Sequence, residues 1–325
     1  MTRPSNDSLN AAWDLIDHSQ LILVVMHTNP DGDALGSGIA LTLGLRQQGK
    51  EAHLVCPQPT PLIYEFLNPG DIVEPEAPAG VPDLAVVVDC DRADRVGALQ
   101  GLVNQARRVL VVDHHPPTSD FGDVRLSHDG YAATAEVVHY LLAHRSVPVT
   151  GRMAEALMTG LITDTGGFRF SNTRPETLEM AASLARAGAS VADISRRVYD
   201  SRTLAGLKLL ARALASLQSS PAGTVAWARL SADDFAETGA APEDTEGFVN
   251  VVHSLRGADV AALLREEQPG VVRISLRSRG AAVVSQAAEA LGGGGHALAA
   301  ACVLEASLDD AEERLLQELR KWTAF

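Results

Sequence analysis

Four separate apolar segments of the chain each end in aspartate or histidine residues. Carboxylate oxygen and neutral imidazole together suit Mn²⁺, Fe²⁺, Zn²⁺ or Co²⁺, and a set without thiolates disfavours a closed structural zinc site. Asp31 and Asp33 are two residues apart on a loop after a strand, so they can point into one concavity and reach different ions. The candidate ligands are His27, Asp31, Asp33, Asp89, Asp113, His114, His115 and Asp164.

A cluster of two divalent ions would give these residues a specific chemistry. Two metals about 3.5–4 Å apart can activate a hydroxide and stabilise both the attacking and the leaving oxygen of a phosphoryl displacement. We therefore predict a hydrolase with two divalent ions bridged by one carboxylate, with Mn²⁺ as first choice and Mg²⁺ or Co²⁺ as alternatives. A single aspartate after a strand is often only a turn former or a helix cap, so the prediction depends on all four segments together.

The elements that must position these residues are those of an α/β domain with a parallel, Rossmann-like sheet. From residue 21 to about 200, short runs rich in valine, isoleucine and leucine alternate with helical segments such as 34–48 and 134–144. Segment 157–163, before Asp164, fits either a strand or a helix. Ligands of parallel sheets bind at the carboxyl ends of the strands. Because the candidates lie at or just beyond such ends, the sheet would bring them together.

The pattern changes after residue 194. Residues 194–218 are predicted to form a helix, which the sequence Ser219-Ser220-Pro221-Ala222-Gly223 interrupts. A second alternation then follows, with strands predicted at 224–230, 258–265 and 271–276 and helices at 245–255 and 283–291. We therefore predict three parts: a catalytic α/β domain over residues 1–195, a helical linker over 196–221 and a smaller α/β domain over 222–325.

The composition disfavours several classes of function. The 325 residues carry 27 basic and 41 acidic side chains, and the net charge of −14 opposes the wrapping of long double-stranded nucleic acid. No stretch approaches the roughly 20 apolar residues that span a bilayer, and the polar N-terminus does not resemble a secretory signal. We expect a cytoplasmic protein without a membrane role. The three cysteines, Cys56, Cys90 and Cys302, predict neither a disulfide framework nor a thiolate metal site.

The order of the motifs resembles that of the DHH phosphoesterase superfamily, which is named for the triplet matched here by Asp113-His114-His115. The four metal motifs of that superfamily are matched in order, and residues 160–168 resemble the fourth motif with its surroundings. In the second half, residues 292–300 resemble the glycine-rich motif of the associated DHHA1 domain. One departure is Ala301, which stands where the family usually has a glycine.

The resemblance implies a role for each matched residue of the first half. One metal ion is expected on His27, Asp31 and Asp89, and the other on Asp33, Asp89, His114 and Asp164, so that Asp89 bridges the two. Asp89, Asp113 and His115 are expected to act in catalysis. Asp113 would orient an imidazole, and His115 would contact the scissile phosphate or assist proton transfer.

The resemblance also implies substrate contacts in the second domain. Glycines let backbone N–H groups approach an anion closely, and an arginine can bind phosphate through two hydrogen bonds. The expected substrate-binding residues are Arg277, Ser278, Gly293, Gly294, Gly295 and His296, with Arg256 as a further candidate.

Within the superfamily, a two-domain chain of this length resembles the NanoRNase type. Enzymes of that type degrade very short RNAs to mononucleotides, and many also remove the 3′-phosphate from 3′-phosphoadenosine 5′-phosphate (pAp). The acidic charge and an aromatic content of 4% favour a short substrate over the long single strands of a RecJ-like exonuclease. We expect short RNA and nucleotides such as pAp as the partners.

Several alternatives stay open. A phosphodiesterase for cyclic dinucleotides or their linear products would need the same metals. An inorganic pyrophosphatase shares the metal motifs, but its second domain lacks the glycine-rich element. The alternative of another class is a non-catalytic nucleotide-binding protein on the same fold, which metal analysis would test. The cleavage polarity and the oligomeric state, a homodimer included, are also open.

Overall fold

A computed structural model describes residues 3–117, 119–127 and 130–323. The chain divides into two compact units, Met1–Ser201 and Arg202–Phe325, and each has its own sheet and its own hydrophobic core. The predicted linker 196–221 is therefore divided between the two units. The three-part division given above stays a prediction.

The first unit is built around a parallel sheet of six strands. They are β1 (Leu21–Met26), β2 (Glu51–Val55), β3 (Val73–Glu74), β4 (Leu84–Val88), β5 (Arg108–Asp113) and β6 (Val124–Ser127). Their order in the sheet is β3-β2-β1-β4-β5-β6, and all neighbouring pairs are parallel. The chain runs outward from β1, returns to β4 and continues in the other direction. Ligands of such sheets bind at this switch point, here between β1 and β4.

Helices cover the sheet of the first unit, whose central strands are almost fully buried, as expected for a parallel sheet covered on both faces. The helices are α1 (Asn6–Asp17), α2 (Gly32–Gln47), α3 (Gln100–Gln105), α4 (Thr134–His144), α5 (Arg152–Asp164), α6 (Pro175–Arg186) and α7 (Val191–Tyr199), with 3₁₀ turns at Leu62–Leu67, Pro69–Asp71 and Ala93–Leu99. Segment 157–163 is thus helical, and the predicted α/β class with a parallel sheet is confirmed.

Helices α2 and α5 approach each other closely at a glycine. A Cβ atom on Gly36 would lie 2.2 Å from the carbonyl oxygen of Ala156, so the two backbones can meet only because this position has no side chain. Asp33 lies in the first turn of α2, and Asp164 is the last residue of α5. The helix contact therefore brings two candidate ligands to the same end of the unit.

The second unit contains a smaller mixed sheet. Its strands are β7 (Gln218–Ser219), β8 (Val225–Leu230), β9 (Val260–Gln268), β10 (Val271–Ser278), β11 (Gly294–His296) and β12 (Ala299–Glu305), in the order β11-β12-β10-β9-β8-β7. Of the pairs among these described strands, β8–β9 is parallel and the others are antiparallel. Its helices are α8 (Leu204–Ala215), α9 (Ala232–Thr238), α10 (Phe248–His253), α11 (Val284–Ala290) and α12 (Leu308–Trp322), with a 3₁₀ turn at Pro242–Thr245.

The prediction of one helix over residues 194–218 was wrong. Helix α7 ends at Tyr199, and α8 begins at Leu204 after the N-cap residue Thr203, whose hydroxyl accepts a hydrogen bond from the N–H of Gly206. A threonine that caps a new helix in this way favours a break over continuation. Within the part of the chain that is described, no helix has the length and apolar character needed to cross a membrane.

Candidate metal centre

All the candidate ligands of the first half meet at the carboxyl end of the first sheet. Every one of them has a ligand atom within 4.0 Å of another member of the set. Strands β1, β4 and β5 supply residues at or just after their ends, while α2 begins and α5 ends there. The prediction that the sheet converges these side chains agrees with the structure.

His27 forms one side of the centre. Its Nδ1 lies 2.9 Å from the carbonyl oxygen of Thr28, which places the proton on Nδ1 and directs Nε2 inward. Nε2 lies 3.5 Å from Asp89 Oδ2 and 4.0 Å from Asp31 Oδ2. Asp31 uses its other oxygen to cap α2, since Oδ1 accepts hydrogen bonds from the N–H groups of Asp33 and Ala34. The cap fixes the carboxylate that faces His27.

His114 forms the other side. Its Nε2 lies 3.1 Å from Asp164 Oδ2, 3.7 Å from Asp89 Oδ1 and 4.0 Å from Asp33 Oδ2. Its Nδ1 faces the carbonyl oxygen of Tyr131 at 3.4 Å. As with His27, a backbone oxygen sets the ring orientation, and Nε2 is directed toward the carboxylates.

Asp89 is the residue that both sides share. The ligand atoms of His27, Asp31 and Asp89 lie within 4.8 Å of one another, and so do those of Asp33, Asp89 and His114. In each set the donors are carboxylate oxygen and imidazole nitrogen. Two neighbouring sets with one carboxylate in common have the arrangement that a bridged pair of divalent ions requires.

The backbone at Asp89 is in the left-handed region, with φ of 57°. This conformation is unfavourable for most residues, although aspartate and asparagine tolerate it better than others. The N–H of Asp89 donates to the carbonyl oxygen of Val112 at 2.9 Å, which ties the turn after β4 to β5. Backbone strain of this kind gathers at functional sites, where the surrounding structure maintains it.

The N-terminus of α4 holds Asp33 in place, a contact that the sequence did not reveal. Asp33 is fully buried, and it accepts hydrogen bonds from the N–H groups of Thr134 at 2.6 Å and Ala135 at 3.0 Å and from the hydroxyl of Ser37 at 3.1 Å. The Thr134 hydroxyl also donates to Asp89 Oδ1 at 2.8 Å. Free N–H groups and the helix dipole at this end stabilise a buried carboxylate.

Replacing Thr134 with valine tests the hydroxyl alone, because valine keeps the shape and the backbone N–H. We expect metal affinity to fall by about 10- to 100-fold, the usual effect of losing a group that orients a ligand. Competition with a chelator measures this loss. Thr134→Ser retains the hydroxyl and should bind metal nearly as the parent protein does. Unchanged affinity in Thr134→Val would show that the hydroxyl does not position Asp89.

Gly160 of α5 has no side chain, and this leaves room for the Asp33 carboxylate. A Cβ atom on Gly160 would lie 2.5 Å from Asp33 Oδ1 and 2.9 Å from the Cβ of Ala135. We expect Gly160→Ala to displace the carboxylate, lower metal affinity and destabilise the protein by about 1–3 kcal/mol, as overpacking does. Metal titration and thermal unfolding measure the two effects. Gly101→Ala, a helical position with open space around its Cα, should leave metal binding unchanged and not destabilise.

A buried ion pair fixes the start of α4. Glu136 is fully buried, and its Oε2 accepts hydrogen bonds from Arg174 Nη2 at 2.5 Å and from the N–H of Ala132 at 3.3 Å. Its Oε1 accepts the hydroxyl proton of Thr177. Arg174 and Thr177 lie at the start of α6, so this network joins the first turns of the two helices. It thereby holds the N–H groups that bond Asp33.

In the Asp113-His114-His115 triplet, the aspartate organises its neighbours. Asp113 Oδ1 accepts hydrogen bonds from the N–H of His114 at 2.8 Å and of His115 at 3.2 Å, and it lies 2.7 Å from His115 Nδ1. His115 Nδ1 is also 3.6 Å from Asp89 Oδ1. Asp113 Oδ2 is buried and has no hydrogen-bond partner among the described residues. The geometry therefore places His115 beside the shared carboxylate, with Asp113 orienting it.

The carboxylates crowd one another. Burial and the nearby Asp164 and Asp89 raise the pKa of Asp33 well above its usual range. Burial also raises the pKa of Asp164 to about 6, although His114 beside it acts in the opposite direction. Both carboxyl groups therefore need a compensating positive charge to be ionised at neutral pH.

The imidazoles supply part of that charge. Burial disfavours the charged form of His27, but Asp89 and Asp31 outweigh it and raise the pKa of His27 to about 9. For Asp89, burial is likewise outweighed, by His27, His115 and His114, which hold its pKa well below its usual range. Divalent cations would take over this role, and hard carboxylate oxygens with imidazole fit Mn²⁺, Mg²⁺ or Co²⁺. The residues present thus fit a metal centre.

In the second unit, the predicted substrate residues Arg277, Ser278 and His296 lie at the same end of nearby strands of the sheet. Arg277 and Ser278 end β10, and Arg277 is paired with Ala299 of β12, which is paired in turn with His296 of β11. Arg277 and His296 are thus two strands apart in one row, about 10 Å across the sheet. Arg277 Nε donates to Asn250 Oδ1 at 3.1 Å, which orients the guanidinium.

The glycine-rich segment ends in a short strand, β11, which begins at Gly294. A Cβ atom on Gly293 would lie 2.1 Å from the carbonyl oxygen of Ala301, and one on Gly295 would lie 2.6 Å from that of Ala299. Packing against β12 therefore requires glycine at these two positions, while Gly294 has open space. Ala301, where the family usually has glycine, fits within β12. Arg256 lies in the exposed turn between α10 and β9, outside the row of Arg277.

Comparison with known proteins agrees with this architecture. The model of the DHH family, N-terminal domain, matches residues 21–161, and that of the DHHA1 domain matches residues 223–324. The chain is 33% identical to the bifunctional oligoribonuclease and PAP phosphatase NrnA of Thermus thermophilus, over 92% of this chain and 89% of that protein. It is 26% identical to NrnA of Bacillus subtilis, over 92% of this chain and 93% of that protein.

Solved structures share the fold. An exopolyphosphatase-related protein from Bacteroides fragilis superposes with a TM-score of 0.88 at 24% identity, covering 98% of this chain and 96% of that chain. Thermus thermophilus RecJ in complex with Mn²⁺ gives a TM-score of 0.56 at 17% identity, covering 96% of this chain and 55% of that chain. Together with the identity to NrnA, the site and both domain matches show that the chain belongs to the DHH phosphoesterase family, with a DHHA1 domain in its second unit.

Proposed function

We propose that this protein is a metal-dependent phosphoesterase that hydrolyses very short RNA oligonucleotides to mononucleotides and pAp to AMP. The observation that carries the proposal is the pair of ligand sets that share Asp89. The names of the Thermus and Bacillus relatives, which combine oligoribonuclease and PAP phosphatase, support the substrate class. A net charge of −14 also favours a short substrate, because few phosphates need to be neutralised.

The geometry of the centre supports the residue roles that the family resemblance implies. His27, Asp31 and Asp89 would hold one divalent ion, and the other would be held by Asp33, Asp89, His114 and Asp164. Such a pair of ions, Mn²⁺ by preference, would supply the Lewis acidity that activates water and would stabilise the charge on the attacking and leaving oxygens. Asp113 orients His115, which we propose contacts the scissile phosphate or transfers a proton. Arg277, Ser278, His296 and the glycine strand bind the substrate in the second unit, and Arg256 is the weakest member of that set.

Turnover of a substrate panel tests the proposal. The panel contains a diribonucleotide, pAp, a cyclic dinucleotide and pyrophosphate, each measured with Mn²⁺, Mg²⁺ or Co²⁺ and after treatment with a chelator. We expect metal-dependent hydrolysis of the diribonucleotide and of pAp. Preference for the cyclic dinucleotide would replace the proposed substrate with a signalling nucleotide. Inactivity on all four, with metal bound, would favour a nucleotide-binding protein without catalysis.

Arg277→Ala tests the substrate role of the second unit. Loss of charge-assisted hydrogen bonds of about 1.5–3 kcal/mol corresponds to a rise in KM of about 10- to 100-fold, with metal content unchanged. Steady-state kinetics on the diribonucleotide and metal analysis measure the two quantities. Arg273→Ala is the matched control, since Arg273 lies in β10 on the same face and forms a partly exposed ion pair with Glu267. Equal effects of the two substitutions would contradict the assignment.

A further inference from the structure

The loop that follows Asp164 is rigid. From Thr165 to Phe170, every backbone N–H donates a hydrogen bond: to Leu161, Thr163 and Ile162 of α5, to the Thr165 hydroxyl and, for the last two, to the Thr165 carbonyl oxygen. The Thr165 hydroxyl itself donates to the carbonyl oxygen of Leu161. A loop with all these groups satisfied loses little conformational freedom when it contacts a ligand.

Three consecutive residues of this loop have left-handed backbones. The φ angles are 59° at Gly166, 72° at Gly167 and 64° at Phe168. The bend carries the chain back on itself, so that the tip of the Phe170 ring fills the space beside Gly166. A Cβ atom on Gly166 would lie 2.4 Å from Phe170 Cζ and 2.6 Å from both Cε atoms. Gly166 is therefore needed both for its backbone angle and for the position of the ring.

Phe170 is 38% exposed although its ring packs against Gly166. The three distances are nearly equal, so Gly166 lies against one face of the ring near its tip, and this contact leaves the opposite face for a ligand. Among the aromatic side chains that the structure describes, Phe170 and Trp322 are the only ones that are exposed. A partly exposed aromatic ring is thus held by a loop whose backbone N–H groups are hydrogen-bonded from Thr165 to Phe170.

The ring is close to the metal centre. Consecutive Cα atoms are about 3.8 Å apart, so the Cα of Gly166 lies within about 7.6 Å of that of Asp164. Adding the contact between Gly166 and the ring places the Phe170 tip within about 12 Å of the Asp164 Cα. A single nucleotide with its phosphate at the centre spans that distance.

We propose that Phe170 is a stacking platform for one nucleobase of the substrate, the base of a nucleotide whose phosphate lies at the metal centre. The proposal rests on the proposed function and adds a base contact in the first unit. Every base presents a π face, so stacking binds it without selecting sequence. One exposed ring can serve one base, which agrees with a substrate of very few nucleotides. Phe170 touches the base and takes no part in the bond cleavage.

Binding of two ligands that differ only in the base tests the platform. Adenosine 5′-monophosphate and ribose 5-phosphate are titrated against the metal-loaded protein, its Phe170→Leu and Phe170→Tyr variants and Trp322→Leu. Leucine keeps an apolar side chain against Gly166 but removes the π face, whereas tyrosine keeps it. Thermal unfolding confirms that each variant is folded.

We expect the parent protein, Phe170→Tyr and Trp322→Leu to bind the monophosphate more tightly than the sugar phosphate. In Phe170→Leu this preference should fall by about tenfold, with the sugar phosphate bound as before. An unchanged preference in Phe170→Leu, or equal weakening of both ligands, would overturn the proposal. So would a parent protein that shows no preference for the ligand with a base, whatever the variants do.

The same proteins separate this proposal from the proposed function. Hydrolysis of the diribonucleotide is measured alongside binding. A parent protein that cleaves short RNA but binds both ligands alike would retain the function and reject the platform. One that shows a Phe170-dependent preference but cleaves nothing in the panel would retain the platform and reject the proposed reaction.

Discussion

Replacing Asp89 with asparagine is expected to lower the turnover of short RNA by at least about a thousand-fold, since metal ions contribute several kcal/mol to stabilising the transition state. Asp89 is the carboxylate common to both ligand sets, and a neutral amide cannot bridge two divalent ions as a carboxylate does. Asparagine tolerates the backbone φ of 57° and retains the size of the side chain, so the sheet should fold as before.

The same substitution should also destabilise the metal-free protein. Three imidazoles hold the pKa of Asp89 well below its usual range. A carboxyl group whose pKa is lower in the folded protein adds stability above its ordinary pKa, and that stability disappears as the pH falls. At neutral pH, metal-free Asp89→Asn should therefore unfold at a lower temperature than the metal-free parent.

Initial rates, metal analysis and calorimetry in the presence of a chelator measure these effects. Full activity in Asp89→Asn would refute the bridging role. Asp91→Asn is a suitable control, because Asp91 is also buried, lies two residues further along and is absent from both ligand sets. It should retain metal.

Asp164→Asn is expected to lower turnover by about a hundred-fold or more while raising the stability of the metal-free protein. Burial raises the pKa of Asp164 to about 6, above its ordinary value of 3.8. The folded protein then holds an additional proton between those values, so the stability of the metal-free parent falls as the pH rises through that window. Above about pH 6 the Asp164 carboxylate is ionised in the folded protein, and its buried charge lowers the stability of the metal-free parent. Asparagine removes that charge.

Thermal unfolding at two pH values tests the sign. In the presence of a chelator at pH 8, Asp164→Asn should unfold at a higher temperature than the parent, and at pH 4 the difference should disappear. Mn²⁺ should stabilise the parent much more than the variant, because a ligand stabilises the state that binds it. Lower stability of the variant at both pH values would contradict the expectation that the ionised Asp164 carboxylate destabilises the metal-free protein.

The sequence was sufficient to predict that the candidate ligands of the first unit lie close together. Apolar runs that end in aspartate or histidine determined the strands β1, β4 and β5, and a parallel sheet brings such ends together without further information. The candidates could be recognised because carboxylate and imidazole side chains have few other reasons to recur at the ends of successive apolar segments. The residue roles carried over from the DHH family stay predictions until the variants are measured.

Contacts between segments far apart in the chain could not be predicted from the sequence. Thr134 begins an ordinary amphipathic helix, and nothing local indicates that its N–H and hydroxyl bond Asp33 and Asp89. Gly160 looks like any helical glycine until the neighbouring helix is placed. The break between α7 and α8 was missed because segment 194–218 contains few strand formers and was therefore predicted as one helix, whereas Thr203 caps a new helix there.

The wide spacing of the ligands along the chain has a consequence for kinetics. The centre extends from His27 to Asp164, and it is complete only when β1, β4, β5, α2 and α5 have come together. Contacts between residues so distant in sequence close large loops and form late in folding. Ions that bind only the finished centre would leave the folding rate nearly unchanged and slow unfolding instead. Bound metal would thus extend the lifetime of the folded chain without hastening its formation.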